Sequence, residues 1–198
     1  MSYAEQYFDE TKKIIDSLDL ASIEKIVELL VKVREKNGRI FFIGVGGGAG
    51  NSTHAVNDFR KIAGIEAYTP VDNVSELTAR VNDDGWDSIF IEWLRVSKLT
   101  LNDMVFVFSV GGGCQEKMIS INIIKALEYA KSVGAFIAGV VGRDGGYTSQ
   151  VADACVIIPV INPLAVTPHT EAFQAIVWHL LVSHPKICVN KMKWESLK

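Results

Sequence analysis

The sequence has few cysteines and no excess of charge of one sign. Its 198 residues include 3 Cys, 20 Lys and Arg, and 23 Asp and Glu, with a formal net charge of −3. Three widely spaced cysteines without a Cys-x-x-Cys exclude a disulfide framework and a zinc ribbon, and they are typical of reduced thiols in the cytoplasm. The charge balance excludes a broadly basic nucleic-acid-binding protein, so we expect no nucleic-acid partner, although it leaves room for a local basic patch.

Long apolar runs are also missing. The longest uncharged apolar stretch, Ala154–Val166, contains two prolines and an asparagine and is too short to span a bilayer. The first residues, Met1–Lys13, are charged and polar and lack the apolar core of a signal peptide. We therefore expect neither a membrane segment nor a secretion signal, and a cytoplasmic location.

The chain does contain several short apolar runs, and each of them precedes glycines or a turn. With 48% hydrophobic residues it is too apolar to be disordered, and its length fits one domain over residues 1–198. Such runs are typical of strands buried on both faces of a parallel sheet. The predicted strands are Arg39–Ile43, Met104–Phe108, Phe136–Val141, Cys155–Val160 and, more weakly, Glu66–Tyr68.

Helical periodicity fills the segments between these runs. The predicted helices are about Ser52–Ile62, Val74–Val81, Glu116–Ser132 and Thr170–Ser183. Alternating strands and helices predict an α/β fold with a doubly wound, mainly parallel five-stranded sheet. Two further helices occupy residues 1–37, the second from about Ser22 to Lys36, and form either a cap on the domain or a surface for another subunit.

Glycine-rich loops follow two of the strands. They are Gly44–Gly50 and Ser109–Cys114, and a shorter turn lies at Gly142–Gly146. The carboxyl ends of strands carry the ligand in open α/β sheets, and glycines let backbone N–H groups approach an anion such as phosphate. Neither loop is a P-loop, and the acidic residue of a dinucleotide fingerprint is misplaced, since Glu66 precedes the weak strand rather than ending it. Either loop alone is also explained as a tight turn, but the pair favours a ligand site.

Two histidines and two carboxylates follow these loops on predicted helices. His54 and Asp58 are four residues apart and share a helix face, and Glu171 precedes His179 by eight residues in the last helix. Each alone has a structural explanation, such as a hydrogen-bonded core histidine or a carboxylate near a helix N-terminus. Together they offer either ligands for a divalent metal such as zinc or a pair for acid–base chemistry.

At these residues the sequence resembles the sugar isomerase (SIS) domain and, more narrowly, the phosphoheptose isomerases, over nearly the whole chain. Gly44–Gly48 corresponds to the family's Gly-Asn-Gly-Gly-Ser loop, and Ser109–Cys114 to its Ser-Thr-Ser-Gly-Asn-Ser phosphate loop. Asn73–Ser75 and Val81–Trp86 correspond to its Asp-Val-Ser and Gly-Asn-Asp-x-Gly-Phe segments.

The resemblance implies an aldose–ketose isomerase that converts sedoheptulose 7-phosphate to a heptose 7-phosphate through an enediol, in a homotetramer. It implies Asp58 as the base, His179 as the acid, and a divalent metal, zinc, at His54, Asp58, Glu171 and His179. The implied substrate-binding residues lie in the loops and in the segment after Val81: Gly46, Gly47, Gly48, Asn82, Asp83, Ser109, Gly111, Gly112, Gly113 and Cys114.

The chain departs from the family pattern mainly in the phosphate loop. Gly48, Gly111 and Cys114 stand where hydroxyl groups are expected, and the loop is longer, through Gln115–Ser120. One hypothesis is that backbone amides with Ser109, Lys117 or Ser120 hold the phosphate of an isomerase substrate. The alternative is a non-catalytic SIS protein that binds a phosphosugar or acts as an adaptor.

Overall fold

Five parallel strands form the centre of the computed structural model, which describes residues 1–193 and 197. The strands are β1 (Ile40–Gly44), β2 (Ala67–Tyr68), β3 (Met104–Ser109), β4 (Phe136–Val141) and β5 (Ala154–Ile157). Their order is β2-β1-β3-β4-β5, and every pairing in it is parallel. The strand order changes direction at β1, so the carboxyl ends of β1 and β3 flank the switch point where ligands bind in such sheets.

Helices cover both faces of the sheet, which confirms the doubly wound α/β prediction. The helices of the described chain are α1 (Tyr3–Ser17), α2 (Leu20–Glu35), α3 (Gly47–Lys61), α4 (Val74–Asp84), α5 (Ile89–Val96), α6 (Ile121–Val133), α7 (Gly146–Val151) and α8 (Val166–Ser183). Strand side chains alternate between two apolar clusters: Phe42 packs with α1, α2, α3 and α8, and Phe41 with α5 and α6. None of the described helices is long and apolar enough to cross a membrane.

Several helix boundaries differ from the sequence prediction for local reasons. Helix α2 begins at Leu20 because the Asp19 side chain accepts a hydrogen bond from the backbone N–H of Ala21, 3.0 Å away, which makes Asp19 the N-cap. Helix α6 begins at Ile121 rather than near Glu116. Its predicted first turn is instead a small hairpin, in which the backbones of residues 114 and 119 exchange two hydrogen bonds of 2.9 Å.

Two helices, α5 and α7, are absent from the prediction. They are eight and six residues long, which is too short for a 3.6-residue period to stand out in the sequence. In α5 the side chains of Ile89, Phe90 and Leu94 are buried beside the sheet. Their burial shows that tertiary packing, rather than a long amphipathic pattern, fixes this element.

The first helix turns much of its apolar face to the solvent. Phe8 and Ile15 are 64% and 54% exposed, whereas Ile14 is fully buried. Phe8 and Ile15 are seven residues apart and therefore lie on one face of α1. This face of α1 is therefore apolar and exposed in the single chain, while the opposite side joins the rest of the chain.

A buried hydrogen-bond network joins α1 to α8. His169 Nε2 lies 2.9 Å from Glu10 Oε2, and the side-chain amides of Gln6 and Asn162 donate to Glu10 Oε1 at 2.8 and 2.9 Å. The His169 ring also stacks on Tyr7, with 4.3 Å between ring centroids. The hydrogen bond with His169, followed by those with Gln6 and Asn162, lowers the pKa of Glu10 because these donors stabilise the carboxylate.

We predict that Glu10→Gln lowers stability at neutral pH and that its difference from the wild type shrinks in acid. A carboxyl group with a depressed pKa in the folded state stabilises the protein above its unfolded pKa, and this contribution is lost as pH falls through the folded value. Denaturant unfolding between about pH 7 and pH 3 measures the difference. Glu28→Gln, on the exposed face of α2, is the control. A constant difference across this range would contradict the prediction.

Candidate active site

A cavity of about 990 Å³ lies at the carboxyl ends of the strands, beside the switch point. Val45 lines it after β1, Ser109 and Gly111 after β3, Arg143 after β4, and Thr167 at the start of α8. The cavity therefore lies where the glycine loops were expected to hold a ligand.

The first glycine loop is mostly the first turn of α3. That helix begins at Gly47, five residues before its predicted start, and Gly48 N–H already donates to Val45 O at 3.1 Å. A Cβ on Gly48 would lie 2.4 Å from the carbonyl oxygen of Phe108, and a Cβ on Gly47 would lie 2.3 Å from a carboxylate oxygen of Glu171. Gly48 is therefore required for close packing against the backbone of β3, whereas a side chain at Gly47 would displace the carboxylate end of the flexible Glu171 side chain.

The second glycine loop is held against α7. Gly112 N–H donates to Ser109 Oγ at 3.1 Å, and Gly112 O accepts from the backbone N–H and the hydroxyl of Thr148. A Cβ on Gly112 would lie 1.9 Å from Gly145 O. The backbone of Gly113 has φ +90°, a left-handed conformation that favours glycine. The glycines thus allow the loops after β3 and β4 to meet at the cavity wall.

The N-terminus of α6 opens onto the same cavity. Ser120 is its N-cap residue, has φ +53°, and makes no capping hydrogen bond with its side chain. Ser120 also lines the cavity. The Asn122 side chain accepts the Ile123 N–H at 2.8 Å. The other first-turn N–H groups of this 13-residue helix have no side-chain cap, an arrangement that together with the helix dipole suits an anion.

A second group of polar side chains lies further along α3 and α8. His54, Asp58 and His179 each offer a ligand atom within 4.8 Å of the others, a spacing that could hold a metal ion. His54 Nε2 is 3.8 Å from Asp58 Oδ2, and the two imidazole rings meet edge to face at 5.5 Å between centroids. The Asp58 side chain is only 14% exposed, compared with 59% for His54.

Hydrogen bonds fix the orientation of two members of this cluster. His179 Nδ1 lies 2.7 Å from the carbonyl oxygen of Ala175. Because a carbonyl can only accept, Nδ1 carries the proton and Nε2 of neutral His179 keeps its lone pair. Such a bond from the second ring nitrogen to a carbonyl is typical of metal-binding histidines. The Asn57 side chain donates to Asp58 Oδ1 at 2.7 Å.

The Trp178 ring packs against the imidazole rings of both His54 and His179. Its side chain is fully buried. Ring centroids lie 3.5 Å from His179 and 4.6 Å from His54. The sequence pattern did not distinguish this tryptophan from an ordinary core residue. It also did not single out Arg143, in the turn after β4, as a site residue.

Other predicted site residues lie outside the cluster. Glu171 is beside Gly47, eight residues before His179, which is about 12 Å of helix rise. Asn82 and Asp83 are exposed on α4, of which no residue is buried. Neither Asn82 nor Asp83 lines the cavity. Glu171 as a fourth metal ligand, and the α4 pair as substrate contacts, stay predictions.

Comparison with known proteins identifies several phosphoheptose isomerases among the relatives of this chain. No family model matches the chain. A protein of Thermoplasma volcanium named "Probable phosphoheptose isomerase" is 31% identical over 157 residues, which cover 77% of this chain and 76% of that protein. The phosphoheptose isomerase of Aneurinibacillus thermoaerophilus is 26% identical over 184 residues, with 90% and 87% covered. The structure of phosphoheptose isomerase GmhA from Neisseria gonorrhoeae has a TM-score of 0.76 at 22% identity, covering 91% of this chain and 92% of that one, which shows a shared fold.

We predict that His54→Ala and His179→Ala each weaken binding of Co²⁺, a spectroscopic probe of divalent-metal sites, at least about tenfold. Equilibrium dialysis and the cobalt absorption spectrum measure the affinity. His184→Ala is the control, since His184 lies 3.7 Å from Glu24 and outside the cluster. Unchanged affinity in both variants would exclude this metal site. A Glu171→Ala variant tests the fourth ligand, since a residue outside the first coordination sphere would change affinity little.

Proposed function

The chain belongs to the phosphoheptose isomerases of the sugar isomerase (SIS) family, and from this premise we propose that it interconverts a ketose phosphate and an aldose phosphate. Its proposed substrate is sedoheptulose 7-phosphate, in keeping with the names of its relatives. The observation that carries the proposal is the cluster in which Asp58 and His179 meet on neighbouring helices. Enediol chemistry requires a general base and a general acid, and a carboxylate beside an imidazole can supply both.

In the proposed reaction, the Asp58 carboxylate removes a proton from C1 of the ketose and returns it to C2 of the enediol. His179 Nε2 takes the proton of the C1 hydroxyl group and delivers it to the C2 oxygen. The hydrogen bond from Nδ1 to Ala175 keeps Nε2 free for this transfer. The low exposure of the Asp58 side chain limits competition from water for the carboxylate.

The second use that we propose for the cluster is as a metal site: the donor set of His54, Asp58 and His179 fits a divalent metal, zinc in our proposal, which would polarise the substrate carbonyl when bound. A carboxylate or imidazole that holds a metal cannot carry a proton at the same time. Turnover measured with and without chelator therefore decides between the two uses of the cluster. Activation by metal supports a ligand role, and unchanged activity after chelation supports proton transfer alone.

The proposed phosphate site is the cavity at the strand ends. Its glycine loop lies at the end of β3, and the N-terminus of α6 faces it without a cap from the Ser120 side chain. Both features suit an anion. The cytoplasmic location that we propose agrees with three free cysteines in the described chain.

We propose a homotetramer as the active form. Two surfaces support this: the exposed apolar face of α1 with Phe8 and Ile15, and helix α4, which buries none of its residues in one chain. Closed symmetric assemblies are the usual way in which such surfaces are covered. In the assembly, Asn82 and Asp83 would reach a site formed with another copy.

We predict that the wild type isomerises sedoheptulose 7-phosphate and that His179→Ala and Asp58→Asn each lower kcat by about 10²- to 10⁴-fold. Binding of the sugar phosphate, measured by calorimetry, should persist in both variants because the strand-end cavity is unchanged. His184→Ala is the control. A wild type that binds sugar phosphates tightly but converts none, with or without added metal, would favour the non-catalytic alternative.

The proposed tetramer predicts a light-scattering mass of four 21.8 kDa chains. Phe8→Glu combined with Ile15→Glu should reduce that mass, because two charges would then face the partner surface. Val96→Glu, an equally accessible apolar position on the other side of the sheet, is the control. A wild-type protein that stays monomeric at micromolar concentration would refute the assembly.

A further inference from the structure

We propose that Arg143 and Lys117, two cations that line the strand-end cavity, hold the phosphate group of the substrate. The inference rests on the proposed function, because it concerns the same anion. The two side chains supply the positive charge that the glycine loop itself lacks, and the group that they recognise is a phosphate monoester.

The loop after β3 offers little to a phosphate through its side chains. Val110 is apolar, and glycines follow from Gly111 to Gly113. The Ser109 hydroxyl oxygen accepts the Gly112 N–H at 3.1 Å, which leaves the loop with one neutral O–H donor from this side chain. Backbone amides remain, but a phosphate monoester carries close to two negative charges at neutral pH. A positive side chain is therefore the missing part of this site.

Arg143 has both the position and the freedom to supply that charge. It lies two residues after the end of β4 and lines the cavity. Its Cδ lies 3.8 Å from the position that a Cβ on Gly111 would occupy, so the aliphatic part of its side chain passes beside Gly111. Its own backbone is left-handed, with φ +53°, a conformation that a non-glycine residue keeps only where the surroundings enforce it. Within the described chain no hydrogen bond or ion pair engages its guanidinium group.

Lys117 lies in the hairpin that replaces the predicted first turn of α6. The backbone hydrogen bonds between residues 114 and 119 close this hairpin beside the cavity, and Lys117 lines it. Over residues 1–193 and 197, its ammonium group has no acceptor. Arg143 and Lys117 are the cations among the residues that line the cavity.

Two acidic side chains also line this cavity and limit the net charge. Asp144 Oδ1 accepts the Gly146 N–H at 3.2 Å, which fixes Asp144 in the turn after β4. Glu116 is the neighbour of Lys117 in the hairpin. With one acid for each base, the cavity has no strong field of its own. Recognition then depends on direct contact, for which the planar guanidinium of Arg143 suits two phosphate oxygens at once.

Steady-state kinetics on Arg143→Gln, Arg143→Lys and Lys117→Met test the inference. We expect Arg143→Gln to raise KM for sedoheptulose 7-phosphate by about tenfold or more with kcat little changed. The reason is that a contact with the phosphate, away from the reacting carbons, stabilises the bound substrate and the transition state equally. Arg143→Lys should restore part of the affinity, and Lys117→Met should have a smaller effect of the same kind. Lys131→Met, an exposed lysine in the last turn of α6, is the control.

Calorimetric binding of inorganic phosphate provides a readout that does not need turnover. Weaker phosphate binding in Arg143→Gln, at an unchanged melting temperature, supports the inference even if the wild type converts no sugar, in which case only the proposed function fails. If the wild type is active and both KM and phosphate affinity stay within about twofold in Arg143→Gln and Lys117→Met, the inference is overturned while the isomerase function stands.

Discussion

Backbone segments of α3 and β3 come closer together than any side chain allows, and the candidate site depends on this contact. A Cβ on Gly48 would lie 2.4 Å from Phe108 O, and one on Gly47 would lie 2.3 Å from the Glu171 carboxylate. The Gly48 contact is with backbone, so a larger residue there would push α3 away from the sheet, whereas one at Gly47 would displace the end of the Glu171 side chain. Gly48 therefore sets how closely α3, which carries His54 and Asp58, packs on the sheet.

The same contact separates the site into two parts. Near the start of α3 and α8 the strand-end cavity opens, with Val45 and Thr167 in its wall. His54, about two turns further along α3, meets His179, more than three turns further along α8. In the proposed reaction, the first part holds a terminal anion and the second part acts on the carbons near the carbonyl. A shared pair of rigid helices fixes the spacing between the two, which suits an elongated substrate.

The strands of the sheet are well predicted where they are buried on both faces. The predictions for β3 and β4 match the structure within one residue, because short continuous apolar runs such as Met104–Phe108 are typical of strands buried on both faces. Prediction fails where structure depends on contacts that are distant in sequence. The hairpin before α6 formed where helical periodicity was expected, and α5 and α7 are too short to show a period.

By itself the sequence determined the alternating α/β architecture, the glycine loops at strand ends, and the placement of His54 and Asp58 on one helix face. Those features follow from local spacing, since a four-residue interval in a helix always brings two side chains together. Only the tertiary structure decided that His179 joins them and that Glu171 lies apart, beside Gly47. The reason is that the register between α3 and α8 is set by helix packing on the sheet, which no local pattern encodes.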